Sequence, residues 1–225
     1  MTSSTHAPSD AHGSDARLQH HFADREQQLD AAVLGTWIFL VTEIMFFGGV
    51  FLAYILYRSR YPEAFIAGSH HLDIRLGAFN TAVLIGSSYT VVLGVRAAQQ
   101  GRQTALLRWL LATMGLGFVF LGVKAFEYHE KWVHHLFPGP SFVWEGPGDP
   151  KHVELFFSVY FAMTGLHALH MVIGAGLFAW LAVQTLRGRY TESYYTPVEC
   201  TGLYWHFVDL VWIYLFPLLY LVGRH

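Results

Sequence analysis

Residues 199–216, ECTGLYWHFVDLVWIYLF, set the question of fold. A wall of aromatic and aliphatic side chains carries three ionisable groups, Glu199, His206 and Asp209. An ionisable side chain near the centre of a bilayer costs roughly 3 kcal/mol or more unless it meets a partner or water. If this run crosses a membrane, the three groups must face protein or a cavity. Their offsets of seven and three residues keep them on one side of a helix, with Trp205, Phe207, Trp212 and Phe216 spread around the rest.

Composition places the run in a membrane. The 225 residues are 53% hydrophobic and only 13% charged, against about 25% charged in a soluble domain. Five stretches reach the roughly 20 apolar residues that a spanning helix needs: Leu34–Tyr57, Leu76–Ala98, Leu106–Phe126, Val153–Gln184 and Thr201–Val222. Breaker-rich joints separate them, among them RSRYPEAFIAGSHHLD (58–73) and HHLFPGPSFVWEGPGDPK (134–151). The expected fold is all-α, a polytopic membrane bundle of five transmembrane helices over residues 31–225. Residues 1–30 form a polar, histidine-rich N-terminal tail with no apolar run, unlike a secretory signal peptide. Its His6, His12, His20 and His21 read as solvated rather than as metal ligands. A net charge of −2 gives no reason to expect nucleic acid, and the single Cys200 cannot form an internal disulfide. The short joint around RAAQQGRQTALLR (96–108) has three arginines and no acid, which places the N-terminus on the cytoplasmic side.

Inside the spans, polar residues stand out singly. Glu43 lies about nine residues into the first span, roughly 15 Å deep; it reads either as a neutral carboxyl bonded to a neighbouring helix or as a proton-handling, lipid-contacting acid. His167 and His170 are three apart on the fourth span, so their rings face the same way. They read as hydrogen-bonded histidines, because a metal site needs further ligands from other helices. Lys124 and Glu127 can pair as the third span leaves the bilayer, and Glu130, His134 and His135 beyond them read as a solvated helical extension. On the second span Ala78, Ala82, Gly86, Thr90, Gly94 and Ala98 recur every fourth residue, a ridge of small side chains for close helix packing. No nucleotide-binding glycine pattern, activated nucleophile or haem-attachment motif accompanies these features. The residues themselves give a helical membrane protein with a polar interior seam and no catalytic centre.

Four separated motifs then become specific. YWHFVDLVWIYLF (204–216) resembles the terminal helix of subunit III of the haem-copper oxidases, of the cytochrome c oxidase type. TEIMFFGGVFLAY (42–54), KAFEYHE (124–130) and TGLHALHMVIGAG (164–176) extend the likeness, in order, across Leu34 to Val222. The chain matches the last five spans of the seven in the family's longest members, and five-span bacterial members exist.

The resemblance implies a non-catalytic subunit that carries no metal of its own. Haem and copper belong to partner subunits, cytochrome c is the electron donor to the complex, and oxygen reduction is coupled to proton pumping. Partners implied are subunit I as the main contact, subunit II, other respiratory-complex subunits and phospholipid, in a bacterial cytoplasmic membrane. Glu43 matches a buried carboxylate that supports proton uptake; Glu127, His167, His170, Glu199, His206 and Asp209 match polar positions that touch lipid headgroups or brace helices. Two rivals stand beside this reading: the subunit III homologue of a quinol oxidase or nitric oxide reductase, and a stand-alone transporter using the carboxylate and histidine seam. A metal-dependent membrane hydrolase built on the paired histidines is a third class.

Overall fold

The computed structural model describes residues 25–192 and 194–222; the histidines of the tail lie outside them. Six helices follow one another: α1 (Arg25–Arg60), α2 (Pro62–Ser69), α3 (Ile74–Gln99), α4 (Gln103–Val133), α5 (Pro150–Leu186) and α6 (Thr196–Tyr220). All but α2 are long and apolar enough to cross a membrane, so the chain is a multi-pass membrane protein with an all-helical fold. The helices outrun the apolar stretches at their ends, except that α6 stops at Tyr220, two residues short of Val222. α1 already begins at Arg25, within the polar segment, and α4 stops at Val133, so His134 and His135 form a turn rather than a helical extension.

α3, α4, α5 and α6 pack as a ring in which each touches the next and α6 closes on α3, while α1 lies outside against α5 and α6. Local chemistry sets where each helix starts and stops. Asp73 and Asp149 cap α3 and α5 by accepting from the N–H groups of Arg75 and Lys151 at 2.7 and 2.9 Å. Proline near the start of α2, α5 and α6 falls where its missing N–H leaves no bond broken. Gly101 and Gly188 end α3 and α5 with φ of 65° and 67°, a left-handed turn that glycine adopts without strain. Gln103 Nε2 then donates to the Tyr190 carbonyl and ties these two turns together.

At the opposite end α2 is a plug that the breaker-rich joint concealed. Its Phe65 is fully buried between Tyr54 and Phe156, with ring centroids 5.4 and 5.3 Å apart. Ser69 Oγ comes within 2.8 Å of the Val222 carbonyl, and Tyr54 donates to the Leu218 carbonyl, so the end of α6 is pinned from two sides. Pro217 lies inside the last turns of α6, and the outside bonds meet carbonyls at the helix end, where intrahelical donors run out.

The small-residue row on α3 meets α4 over only part of its length. Gly94 is buried and its Cβ position lies 3.5 Å from Trp109, Thr90 and Thr113 share a 2.8 Å hydrogen bond, and Gly86 sits opposite Leu116. Ala78 and Ala82 are exposed. A row of every fourth residue is inclined to the helix axis, so it starts under α4 and winds off it. A tighter fit surrounds Trp205 of α6. Its fully buried indole donates to Ser87 Oγ at 3.0 Å, stands edge-on to Phe178 at 5.0 Å, and lies where a side chain on Gly174 would begin. A Cβ at Gly174 would come within 2.7 Å of the indole, and one at Gly117 within 3.0 Å. Gly174→Ala is therefore expected to destabilise the bundle by about 1–3 kcal/mol, read as a lowered unfolding midpoint in detergent. Gly176→Ala, where no atom lies within 4 Å, should leave that midpoint unchanged.

Candidate functional site

Deepest in the ring is a charge pair. α4 puts Lys124 and Glu127 one turn apart and buries both, with 3% and 1% of their surface exposed. Lys124 Nζ donates to Glu127 Oε2 at 2.9 Å and to the hydroxyl oxygens of Tyr160 and Tyr220 at 3.0 Å each. Those two hydroxyls in turn donate to Glu127 Oε1, at 2.9 Å from Tyr160 and 2.6 Å from Tyr220. The ammonium has three protons, and each has an acceptor. Around it stand the rings of Tyr128, Tyr160, Trp212 and Tyr220, with centroids 5.4, 5.1, 5.2 and 5.6 Å away. Every proton of the ammonium and of the two hydroxyls is engaged and both carboxylate oxygens accept, so the network joins α4, α5 and α6.

Glu43 meets His170. Glu43 Oε2 of α1 lies 3.1 Å from His170 Nε2 of α5, and both side chains are largely buried. His170 Nδ1 lies 2.8 Å from the Leu166 carbonyl, an acceptor only, so that nitrogen carries a proton. The remaining contact is then a single proton between a carboxyl oxygen and Nε2. It can be written as neutral acid and imidazole or as carboxylate and imidazolium. Phe47 packs on the His170 ring at 5.0 Å, and Tyr204 of α6 donates to the His170 carbonyl at 3.0 Å. The pair lines a groove of about 600 Å³ between α1, α5 and α6, whose walls include Gly35, Phe39, Ile173 and Leu177.

The two histidines of α5 do not share an environment. His167 is fully inside the ring, 5.3 Å from both Phe120 and Trp212, and neither of its nitrogens has a hydrogen-bond partner among the described residues. The 60° between positions three apart turns one ring to α1 and the other to α4 and α6. Nor do the three ionisable groups of α6 form one site. His206 and Asp209 line a cleft of about 360 Å³ against α3, where Ser88 Oγ lies 2.7 Å from His206 Nδ1. Glu199, in the first turn of α6, lines neither that cleft nor the groove beside Glu43. Seven residues fall 20° short of two full turns, and three more add 60° in the same sense, so Glu199 and Asp209 diverge along the helix.

Among the described residues, no group of three or more His, Cys, Asp or Glu side chains is arranged to hold a metal. Sequence reasoning found Lys124, Glu127, Glu43 and His170, and the contact of Lys124 with Glu127, but not the hydroxyls around them. Tyr160 and Tyr220 look like ordinary aromatic core residues until their hydroxyls are placed, and Ser88 is one of several small polar residues on α3. Lys124→Met should cost about 3–5 kcal/mol, since it strands the Glu127 charge. The double variant Lys124→Met, Glu127→Leu should recover part of that loss, which thermal unfolding in detergent or chain accumulation in membranes would register.

The family model described as cytochrome c oxidase subunit III matches residues 151–224, which hold α5, α6, His167, His170, His206 and Asp209. Cytochrome c oxidase subunit 3 of Synechocystis sp. is 34% identical over 222 residues, covering 97% of this chain and 83% of the relative. A probable cytochrome c oxidase subunit 3 of Nocardia farcinica is 34% identical over 189 residues, 84% and 87% of the two chains. The Corynebacterium diphtheriae subunit 3 is 33% identical over 191 residues, with 84% and 87% covered. With most of its length aligned to such relatives, the chain belongs to the cytochrome c oxidase subunit III family.

Proposed function

We propose that this subunit supports rather than performs oxygen reduction: it stabilises the haem-bearing subunit I, holds phospholipid, and sustains proton uptake in a complex that takes electrons from cytochrome c. Subunit II and other respiratory subunits complete the assembly, in a bacterial cytoplasmic membrane with the N-terminus inside. The observation that carries the reading is the Glu43–His170 pair. It lies within helices long and apolar enough to span a membrane, brings a carboxyl oxygen 3.1 Å from an imidazole nitrogen, and borders a groove between α1, α5 and α6.

The chemistry of that groove suits both roles. Its walls are apolar and its floor is polar, so an acyl chain can lie along α1 and α5 while the pair stays hydrogen-bonded beneath it. Moving the proton between Oε2 and Nε2 changes the charge on α1 and on α5 without changing the total. Such a pair can shift one proton between α1 and α5 with no change of net charge, and excluding bulk water keeps that proton from leaking away. Phospholipid in the groove would do that.

Glu43→Gln keeps a hydrogen-bonding group of the same size but has no transferable proton. In the purified complex it should leave haem content and the initial rate unchanged and shorten the time for which activity survives turnover. Loss of haem, or a lifetime equal to that of the unaltered complex, would overturn the proposal. If the chain purifies without haem-bearing subunits, the oxidase reading itself fails.

A further inference from the structure

The cleft between α3 and α6 has a polar floor and an apolar rim. Asp209 forms its floor with 3% of its surface exposed, and neither carboxyl oxygen has a hydrogen bond of normal geometry among the described residues. Ser88 is the neighbour that interacts with the carboxyl, but its oxygen also lies 2.7 Å from His206 Nδ1. With His206 Nδ1–H donating to Ser88 Oγ, the Ser88 hydroxyl proton can reach only one of the about four acceptor sites of a carboxylate, so acceptors remain unused. The rim is formed by Leu84, Ile85, Tyr89, Leu210 and Ile213, and all but Leu84 are exposed. Ser88 and Asp209 stand near the middle of α3 and α6.

We infer that this cleft receives a hydrogen-bond donor carried on a membrane helix of an adjacent chain of the oxidase. The inference rests on the oxidase reading above and deepens it by naming a docking surface. Depth removes lipid headgroups from consideration, since the middle of a span is roughly 15 Å from either interface. Acyl chains reach the rim but have no donor to give. A volume of about 360 Å³ exceeds what one water needs, about 30 Å³, and fits a long polar side chain entering from the open face. An aromatic and aliphatic rim around a polar floor is the arrangement by which one helix buries a polar anchor of another.

A photoreactive amino acid at Ile85 or Ile213 of the otherwise unaltered complex should cross-link to a protein chain that mass spectrometry identifies as an oxidase subunit. The same probe at Phe126, exposed on α4, is the comparison position. Asp209→Asn, which can still accept a hydrogen bond, should retain the cross-link. Asp209→Leu should lose it and reduce retention of this chain on the complex about tenfold after detergent washing, the scale of one interhelical bond. Adducts only with lipid at both rim positions, or full retention of Asp209→Leu with its cross-links, would overturn the inference and leave water as the occupant. Because the rim probes leave Asp209 intact, a folding defect in the leucine variant cannot hide the answer. Co-purified haem with lipid-only adducts sinks this inference alone; absence of haem-bearing chains sinks the reading beneath it.

Discussion

A buried ammonium and a buried carboxylate, Lys124 and Glu127, constrain everything packed around them. In a bilayer neither charge can be left to solvent, and a pair on one helix is not enough, because the pair has more donors and acceptors than it can exchange internally. The shortfall is made up by one hydroxyl from α5 and one from α6, held by rings that also face the ammonium. Three helices are thereby fixed in register by chemistry, and apolar packing fills the gaps. Exposed lipid-facing positions, by contrast, are occupied by interchangeable large aliphatic and aromatic side chains.

The remaining polar residues divide by how completely they are satisfied. The Lys124 network is closed. Glu43 and His170 are joined by a single proton and border a groove. Asp209 has a cleft in front of it and unused acceptors. Depth alone does not decide this, since His167 is fully inside the ring with neither nitrogen bonded among the described residues, whereas Glu43, His170 and Asp209 border clefts at the edge of the bundle.

Much of this was legible in the sequence. Apolar length alone located five spans, and the three-residue spacing of Lys124 and Glu127 predicted their contact. The short helix α2 was hidden because its proline and glycine read as breakers, whereas its Phe65 is buried through contacts with residues far along the chain. The partners Tyr160, Tyr220, Ser88 and Tyr204 were equally out of reach, since periodicity assigns a residue to a face but not to the neighbour across it. Glu199, His206 and Asp209 show the limit of angular reasoning. Offsets that place residues within one side of a helix still spread them over different neighbours when three helices crowd that side.

The position of Tyr220 has a consequence for how the protein is made. Lys124 and Glu127 belong to the third membrane span, but one of the hydroxyls that completes their shell belongs to the fifth, as does the indole of Trp212. During synthesis the charged pair therefore enters the bilayer before its environment exists. It must wait, half satisfied, through the insertion of α5 and most of α6. The last span thus acts as a latch for the earlier ones, and a chain stopped short of it leaves the charged pair without the Tyr220 hydroxyl and the Trp212 ring.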